Sequence, residues 1–242
     1  MMSITAIIID DERLARKELT SLLAQHRKIE IIDEAANADE ALIKIHEKRP
    51  NLIFLDIQMP GKSGFDLLEE LDYVPEVIFT TAYDEYALKA FEVNALDYLL
   101  KPIEDDRLRD SIDKVSEKID IDEPSISSDG ILTENDQVFV KDGEKCWFIT
   151  LKDVRYFESV GNYVKVHFDS NRPMILKSLN NLEKKLDSKT FFRANRKHII
   201  NLRWIQKSET WFNGGLLVTV NGEETIEISR RQAAKLKDMM SL

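Results

Sequence analysis

Residues 52–61 read LIFLDIQMPG, a short apolar run that ends in Asp56 and is followed by a Pro-Gly pair. Four further short runs that are rich in β-branched and other apolar residues occur in the first half of the chain: Ile4–Ile9, Glu30–Asp33, Val77–Thr81 and Ala95–Leu99. Runs of this length and composition are typical of strands that are buried on both faces of a parallel sheet. They predict five strands within residues 1–120.

Amphipathic stretches of helical length separate these five strands, and another follows the last strand. They are Glu12–Gln25, Asp39–Lys48, Gly64–Leu71, Glu85–Val93 and Glu104–Ile119. Alternating strands and helices predict a parallel sheet with helices on both faces. The right-handed crossover rule favours a doubly wound α/β fold with a flavodoxin-like strand order.

The pattern changes after Asp120–Gly130, a polar stretch that contains Pro, Ser and Gly. This composition predicts a linker, which we place at residues 121–135, between a first domain at 1–120 and a smaller, mostly-β domain at 136–242. Turns, several of which contain Gly, separate the strands predicted in the second domain: Gln137–Lys141, Cys146–Thr150, Val154–Ser159, Tyr163–Phe168, Met174–Leu176, Ile199–Asn201, Leu216–Val220 and Glu224–Ile228. Two helices are also expected, at Ser178–Leu186 and from Ser229 onwards.

The chain shows no sign of membrane insertion or of secretion. No apolar run approaches the roughly 18 residues that a membrane-spanning helix needs. The first residues, Met1–Ile4, lack the basic region followed by an apolar stretch that marks a secretory signal. Cys146 is the only cysteine, which excludes an internal disulfide framework and a zinc site built from several cysteines. These observations predict a cytoplasmic protein that does not bind membranes.

Groups that bind phosphate or metal ions stand at the ends of four of the five predicted strands. Asp10 and Asp11 follow the first strand, Asp56 ends the third, Thr81 ends the fourth, and Lys101 follows the fifth. Ligands of an open parallel sheet gather at the carboxyl ends of the strands, so these side chains are expected to converge. Clustered carboxylates repel unless a cation lies among them, and oxygen donors favour Mg²⁺. A carboxylate beside Mg²⁺ can accept a phosphoryl group.

This constellation, in this order along the chain, resembles the receiver domain of bacterial two-component response regulators over residues 3–119. The resemblance implies that Asp56 is the phosphorylated residue. It implies that Mg²⁺ is held by Asp10, Asp11, Asp56 and the main-chain carbonyl of Gln58. It further implies that the protein is not an enzyme for other substrates, because the receiver catalyses only its own phosphorylation and dephosphorylation.

The same resemblance gives roles to the remaining groups. Thr81 would bind the phosphoryl oxygens, and Lys101 would pair with the phosphoryl group. Tyr98 would be the switch aromatic, three residues before the lysine. The Lys101–Pro102 peptide bond would be cis, a geometry that is confined almost entirely to bonds that precede proline.

The net charge of −10 is divided unequally between the two halves of the chain. Residues 1–124 carry 15 Lys and Arg against 29 Asp and Glu, a net charge of −14, whereas residues 125–242 carry 19 against 15, a net charge of +4. An acidic control domain joined to a domain that binds a polyanion has this asymmetry. The overall acidity therefore does not exclude nucleic acid as a partner.

A basic segment without any acidic residue lies between Lys189 and Ser208. It contains His198 and six cations: Lys189, Arg193, Arg196, Lys197, Arg203 and Lys207. Lys and Arg bind phosphates and release counterions, and Arg and Asn read base edges in the major groove. The segment is consistent with DNA binding, although a run of charge is also typical of a merely solvated face.

Three segments favour DNA, because they resemble the LytTR-type DNA-binding domain over residues 136–240: Tyr156–Val164, Phe191–Leu202 and Ile228–Arg231. In that family a β-rich module places loops, rather than a recognition helix, into successive major grooves. The base contacts implied here are Asn162, Arg196 and Arg230, and the implied phosphate contacts are Lys165, Lys197 and Arg231. Many members of the family have His where this chain has Asn195, so its sequence preference is expected to differ.

Taken together, the two resemblances imply a response regulator with three partners. A sensor histidine kinase would donate a phosphoryl group to Asp56, and Tyr98 would turn inward in response. The altered face around the predicted fourth helix and fifth strand would promote a homodimer. Two DNA-binding modules would then hold repeated half-sites on double-stranded DNA with raised avidity.

Two functions of other classes remain open at the level of sequence. A Mg²⁺-dependent phosphatase of the haloacid-dehalogenase type would also use an Asp nucleophile, but it needs a second Asp two residues later, where this chain has Gln58. In the other alternative, the β-rich domain binds a protein. Salt would distinguish the two partners, because DNA binding through phosphate contacts weakens steeply as salt rises.

Overall fold

The computed structural model describes residues 3–82, 95–121, 131–143, 145–221 and 224–240, which form two compact units. The first unit comprises the described part of Met1–Pro124 with Gln137–Phe139 and Gly143–Phe148. The second comprises the described part of Ser125–Asp136, Val140–Asp142 and Ile149–Leu242. The helix predicted at Glu85–Val93 and most of the predicted linker lie outside the described residues.

The first unit is built on a five-stranded parallel sheet. Its strands are β1 (Ile4–Ile9), β2 (Ile29–Ala35), β3 (Leu52–Asp56), β4 (Glu76–Thr81) and β5 (Asp97–Leu100). They are arranged in the order β2-β1-β3-β4-β5, which confirms the predicted flavodoxin-like, doubly wound sheet. The last strand begins at Asp97, where its pairing with Ile78 starts, and not at Ala95 as the apolar run suggested.

Helices pack on the sheet of the first unit. They are α1 (Arg13–Leu23), α2 (Ala38–Lys48), α3 (Gly64–Glu70) and α4 (Asp105–Ile121). Leu19 of α1 and Leu108 of α4 belong to one core cluster with Ile8, Phe54 and Ile78 of the sheet. Helix α2 packs instead against α3, β1 and β2, so both faces of the sheet are covered. Burial of the strands on both faces explains why they read as continuous apolar runs.

Antiparallel strands dominate the rest of the chain, which confirms the mostly-β prediction. The strands are β6 (Gln137–Asp142), β7 (Lys145–Thr150), β8 (Val154–Val160), β9 (Tyr163–Phe168), β10 (Met174–Ile175), β11 (Phe191–Arg193), β12 (His198–Asn201), β13 (Ile205–Thr210), β14 (Leu216–Val220) and β15 (Glu224–Ile228). The helices are α5 (Leu179–Lys185) and α6 (Arg230–Met240). The sheets are β6-β7, β10-β9-β8-β12-β11 and β13-β14-β15.

Two of these strands were not predicted. Strand β11 has only three residues, too few to show a period, and β13 is exposed along almost its whole length. A strand that buries neither face has no alternation of apolar residues in its sequence.

The core of the second unit joins its two larger sheets to the last helix. Tyr156, Phe192 and Ile200 of the five-stranded sheet pack with Val218 of β14 and Leu236 of α6. This packing fixes the start of α6 beside the loop between β11 and β12, which carries Arg196 and Lys197. Within the part of the chain that the structure describes, no helix is long and apolar enough to cross a membrane.

Candidate functional site

The carboxyl ends of the strands in the first unit surround a pocket of about 440 Å³. Five of the predicted site residues line it, namely Asp10, Asp11, Asp56, Gln58 and Lys101. The other two, Thr81 and Tyr98, do not line it. Thr81 lies between the lining residues Thr80 and Ala82, and Tyr98 lies within β5. The structure thus brings together the acidic residues that the sequence placed at the strand ends, because strand ends can be located from the apolar runs that precede them.

Lys101 holds two of the carboxylates together. Its ammonium nitrogen lies 2.6 Å from Oδ2 of Asp10 and donates a hydrogen bond of 2.8 Å to Oδ2 of Asp56. Burial opposes the charge of Lys101, but the bonds to Asp10 and Asp56 outweigh burial and raise its pKa. Burial raises the pKa of Asp56, and Lys101 opposes that rise. The ammonium is thus the countercharge that makes two buried carboxylates tolerable in one pocket.

The backbone orients the other oxygens of the same carboxylates. Oδ1 of Asp10 accepts a 2.9 Å bond from the Glu12 N–H, and Oδ1 of Asp56 accepts a 3.2 Å bond from the Gln58 N–H. Carboxylate oxygens of Asp10, Asp11 and Asp56 all lie within 4.8 Å of one another. Three carboxylates at this spacing form an all-oxygen donor set of the kind that suits Mg²⁺.

Gly64 at the start of α3 has a role that the sequence analysis missed. Its N–H donates a 2.9 Å bond to the Ile57 carbonyl, and a Cβ atom at this position would lie 2.5 Å from the Asp56 carbonyl oxygen. No side chain fits there unless the backbone of Asp56 moves. Gly64 therefore allows the first turn of α3 to approach Asp56 closely, a requirement that a single Gly in a sequence does not reveal.

Thr81 and Tyr98 lie close to the pocket. Thr81 is fully buried, and its hydroxyl oxygen has no hydrogen-bond partner among the described residues. Tyr98 is half-buried in β5, opposite Phe79 of β4. The Lys101 N–H donates a 2.8 Å bond to the Thr81 carbonyl, and the Lys101–Pro102 bond is cis, as the resemblance implied. A buried hydroxyl without a hydrogen-bond partner costs folding free energy, unless a ligand in the neighbouring acidic pocket provides that partner.

The second unit presents a basic concave surface of about 920 Å³. Arg196, Lys197 and Arg231 line it, together with Lys235. The other predicted DNA contacts do not: Asn162 is exposed in the turn between β8 and β9, Lys165 lies on β9, and Arg230 is exposed at the start of α6. None of the six predicted contact residues forms an ion pair with another described residue, so their charges and amide are available to a ligand.

The loop of residues 194–197, which carries Arg196 and Lys197, is held by side chains that the sequence analysis did not assign. Oδ1 of Asn195 accepts bonds of 2.7 and 3.0 Å from the N–H groups of Lys197 and His198, and its Nδ2 donates 2.6 Å to the Glu227 carbonyl. The Arg193 guanidinium donates to the carbonyls of Asn195 and Arg196 at 2.7 and 3.0 Å.

Backbone bonds tie the same loop to its neighbours. The Lys197 carbonyl accepts a 2.8 Å bond from the Ser159 N–H of β8, and the Ala194 carbonyl accepts 3.1 Å from the Ser229 N–H before α6. The loop is therefore built into the unit, although the side chain of Arg196 projects from it into solvent. Asn195, which stands where many LytTR domains have His, is half-buried and lines the basic surface while its side chain forms this network.

The aromatic residues of the basic segment belong mainly to the fold. Phe191 and Phe192 are buried, and the indole N–H of Trp204 donates a 2.8 Å bond to the Lys152 carbonyl. Arg193 and Arg203 are paired with Glu183 and Glu134. Only part of the basic segment is thus free to meet a polyanion.

Two family matches divide the chain along these two sites. Residues 6–113 match the response regulator receiver domain, and residues 144–241 match the LytTr DNA-binding domain. The chain is 32% identical over 239 residues to the sensory transduction protein LytT of Enterococcus faecalis, covering 98% of both chains. It is 36% identical over 245 residues to a response regulatory protein of Vibrio cholerae, again covering 98% of both. With the transcriptional regulatory protein BtsR of Escherichia coli it shares 34% identity over 247 residues, covering 99% of this chain and 100% of that one.

Proposed function

The chain belongs to the response regulators that join a receiver domain to a LytTR DNA-binding domain, and we propose that phosphorylation of Asp56 controls how tightly it holds DNA. As a response regulator of a two-component system it controls DNA binding and transcription, with DNA and a sensor kinase as partners. We assign the receiver to residues 1–120, the linker to 121–135 and the DNA-binding domain to 136–242. The single observation that carries the proposal is the pairing of Asp56 and Asp10 through Lys101 beside the unsatisfied hydroxyl of Thr81.

Asp56 is the nucleophile in the step that we propose. A carboxylate oxygen of Asp56 forms a bond to phosphorus, the P–N bond to the phosphohistidine of the kinase breaks, and the imidazole nitrogen keeps the electron pair. Burial raises the pKa of Asp56, and the hydrogen bond and positive charge of Lys101 act against that rise. In this proposal the chemistry of the protein consists of accepting this phosphoryl group from a donor and releasing it again.

The carboxylates fit a magnesium ion, with Asp10, Asp11, Asp56 and the main-chain carbonyl of Gln58 as its protein ligands. When bound, Mg²⁺ neutralises the phosphoryl oxygens that the carboxylates would otherwise repel. The oxygen-only donor set and the separation of at most 4.8 Å support this assignment. Asp10 and Asp56 hold their Oδ1 atoms in place through backbone N–H groups, so the site needs little reorganisation.

Three residues carry the signal away from Asp56 in this proposal. The hydroxyl of Thr81 turns toward a phosphoryl oxygen and gains the partner that it lacks among the described residues. The ammonium group of Lys101 moves toward the negatively charged phosphoryl group on Asp56, and Tyr98 turns inward from its half-buried position in β5. The face around β5 changes shape and promotes a homodimer, which is a local electrostatic change that biases a two-state element.

We propose as DNA contacts of the second unit the six residues that the family resemblance implies, five of which are exposed. Arg196, Asn162 and Arg230 present groups that read base edges, and Lys165, Lys197 and Arg231 present groups that bind phosphates. In a dimer these contacts repeat on two half-sites, so avidity rises without any new contact.

The experiment that tests the proposal is DNA binding to random genomic fragments, with and without a phosphoryl donor and Mg²⁺. We expect enrichment of discrete sites that strengthens on phosphorylation, loses its phosphorylation dependence in Asp56→Ala, and becomes weaker and less selective in Arg196→Ala. Failure to enrich any site in any state would contradict DNA as the partner. Enrichment that responds equally to the donor in Asp56→Ala would contradict Asp56 as the acceptor.

A further inference from the structure

Two aromatic side chains are exposed at the tip of the hairpin between β13 and β14. Phe212 is 75% exposed and Trp211 is 38% exposed. Their rings pack edge to face, with centroids 4.8 Å apart and an interplanar angle of 71°. Exposed apolar side chains that lie together often mark an interaction site, and aromatic side chains bury a large area when a partner covers them. We call this pair, Trp211 and Phe212, the aromatic tip.

The hairpin that carries the aromatic tip has a closed, defined backbone. The Trp211 N–H donates a 2.9 Å bond to the Gly215 carbonyl, and the Gly215 N–H donates 3.1 Å to the Phe212 carbonyl. Asn213 and Gly214 both have positive φ, of 55° and 79°. These hydrogen bonds fix the backbone of the turn that carries the two aromatic side chains.

The tip lies beside Arg230, one of the proposed base contacts. A Cβ atom on Gly214 would lie 3.7 to 3.8 Å from Cγ, Cδ and Nε of Arg230, so the stem of that side chain passes over the turn. A Cβ atom on Gly215 would lie 2.8 Å from the Ile228 carbonyl, which brings the hairpin against the end of β15 just before Arg230. The aromatic tip is therefore continuous with the surface that presents Arg230.

The charge and the area of this surface distinguish DNA from a protein as the partner of the aromatic tip. Arg230 forms no ion pair with any described residue, so the surface next to the aromatic tip carries an available cation. Two aromatic side chains supply roughly 300–500 Å² at most, which is less than the roughly 800 Å² that each partner buries in a stable protein interface. A DNA groove, by contrast, offers apolar sugar faces and thymine methyl groups directly beside phosphates.

We propose that the aromatic tip is a further DNA contact, in which Phe212 and Trp211 pack against sugars and thymine methyl groups beside the bases that Arg230 reads. This inference rests on the proposed function of Arg230 and extends it. It assigns the β13–β14 hairpin, which contributes none of the six contacts implied by the resemblance, to the DNA interface. The contact is apolar, so it adds affinity without releasing counterions.

The test uses the full chain and a duplex that carries a site selected by the wild-type protein. Binding is measured by fluorescence anisotropy over a range of salt concentrations for Phe212→Ala, Trp211→Ala, Phe212→Leu and Arg230→Ala. Met239→Ala is the matched control, because Met239 is 47% exposed on the last turn of α6, away from Arg230. Thermal unfolding followed by circular dichroism establishes that each variant is folded.

We expect Phe212→Ala to weaken binding about ten- to hundredfold with an unchanged salt slope. Phe212→Leu should keep most of the affinity, Met239→Ala should match the wild type, and Arg230→Ala should weaken binding and relax base preference. Replacing thymines of the site one at a time by deoxyuridine removes single methyl groups. At least one replacement should weaken the wild type several-fold and leave Phe212→Ala unchanged.

Different failures have different meanings. If the wild type selects no site, the proposed DNA-binding function itself fails. If the wild type binds a site and Phe212→Ala binds it equally well, the aromatic tip is not a DNA contact and this inference is overturned. Reduced self-association of Phe212→Ala in sedimentation experiments, with unchanged affinity for a single half-site, would likewise overturn it in favour of a second copy as the occupant.

Discussion

The acidic pocket and the basic surface use charged side chains in opposite ways. In the pocket, Asp10, Asp56 and Lys101 have side chains at most 19% exposed, and they are bonded to one another. On the basic surface, Arg196 and Lys197 are exposed and form no ion pair with any described residue. A site for phosphoryl transfer requires preorganised groups in a desolvated pocket, whereas a DNA surface requires charges that remain free until phosphates arrive.

This difference decides what a substitution does at each site. Removing a pocket residue leaves another buried charge without its partner, so chemistry and stability change together. Removing an exposed cation that has no ion pair leaves no buried charge without a partner, so DNA binding changes and stability does not.

Asp56→Ala should abolish phosphorylation. The variant lacks the carboxylate that forms the bond to phosphorus, and no neighbouring group can replace it in the same position. Incorporation of labelled phosphate from a small phosphoryl donor in the presence of Mg²⁺ measures the effect. Asp106→Ala is the control, because the Asp106 side chain is 88% exposed at the start of α4 and should be labelled like the wild type. Normal labelling of Asp56→Ala would contradict the assignment of Asp56 as the phosphorylated residue.

Lys101→Ala should destabilise the first unit by about 3–5 kcal/mol when divalent cations are chelated, because Asp10 and Asp56 then share a buried pocket without a countercharge. Calorimetric unfolding of the full chain measures the loss. Mg²⁺ should restore more stability to the variant than to the wild type. The control is Lys28→Ala, whose exposed pair with Asp113 should cost less than about 1 kcal/mol. Equal losses in the two variants would contradict a buried, coupled pocket.

Arg196→Ala should weaken specific DNA binding by about 1–3 kcal/mol, or roughly 5- to 150-fold, and relax the preference at one base pair. Lys197→Ala should instead weaken all sequences alike and reduce the salt slope by about one. Both are measured by titration of a selected and a scrambled duplex at several salt concentrations. Lys237→Ala, an exposed lysine in the last turn of α6, is the control for the loss of one positive charge. If Arg196→Ala keeps the base preference of the wild type, Arg196 contacts phosphate and does not read a base.

The two sites also differ in how far the sequence could predict them. Asp10, Asp56 and Lys101 could be located because each stands where a strand ends, and apolar runs mark those ends. Arg193 and Asn195 could not, because their role depends on the path of one loop and on contacts as distant as Glu227, 32 residues away in the sequence. Strand β13 escaped prediction for a related reason, since an exposed strand has no apolar period.

Asn195→Ala provides the smallest effect and tests how the exposed charges are positioned. The variant loses the bonds to Lys197, His198 and the Glu227 carbonyl, so the loop gains freedom that DNA binding must remove again. We expect a loss of about 1 kcal/mol in binding, close to fivefold, with an unchanged salt slope, since no charge is removed. Asn181→Ala, an exposed amide on α5, is the control.

A double variant separates positioning from direct contact. If Asn195 acts by holding Arg196 in place, Asn195→Ala should cost much less in an Arg196→Ala background than in the wild type, because the side chain that it positions is already gone. If Asn195 itself contacts DNA, the two losses should add. Additive losses would therefore show that Asn195, besides holding the loop in place, contacts the duplex itself.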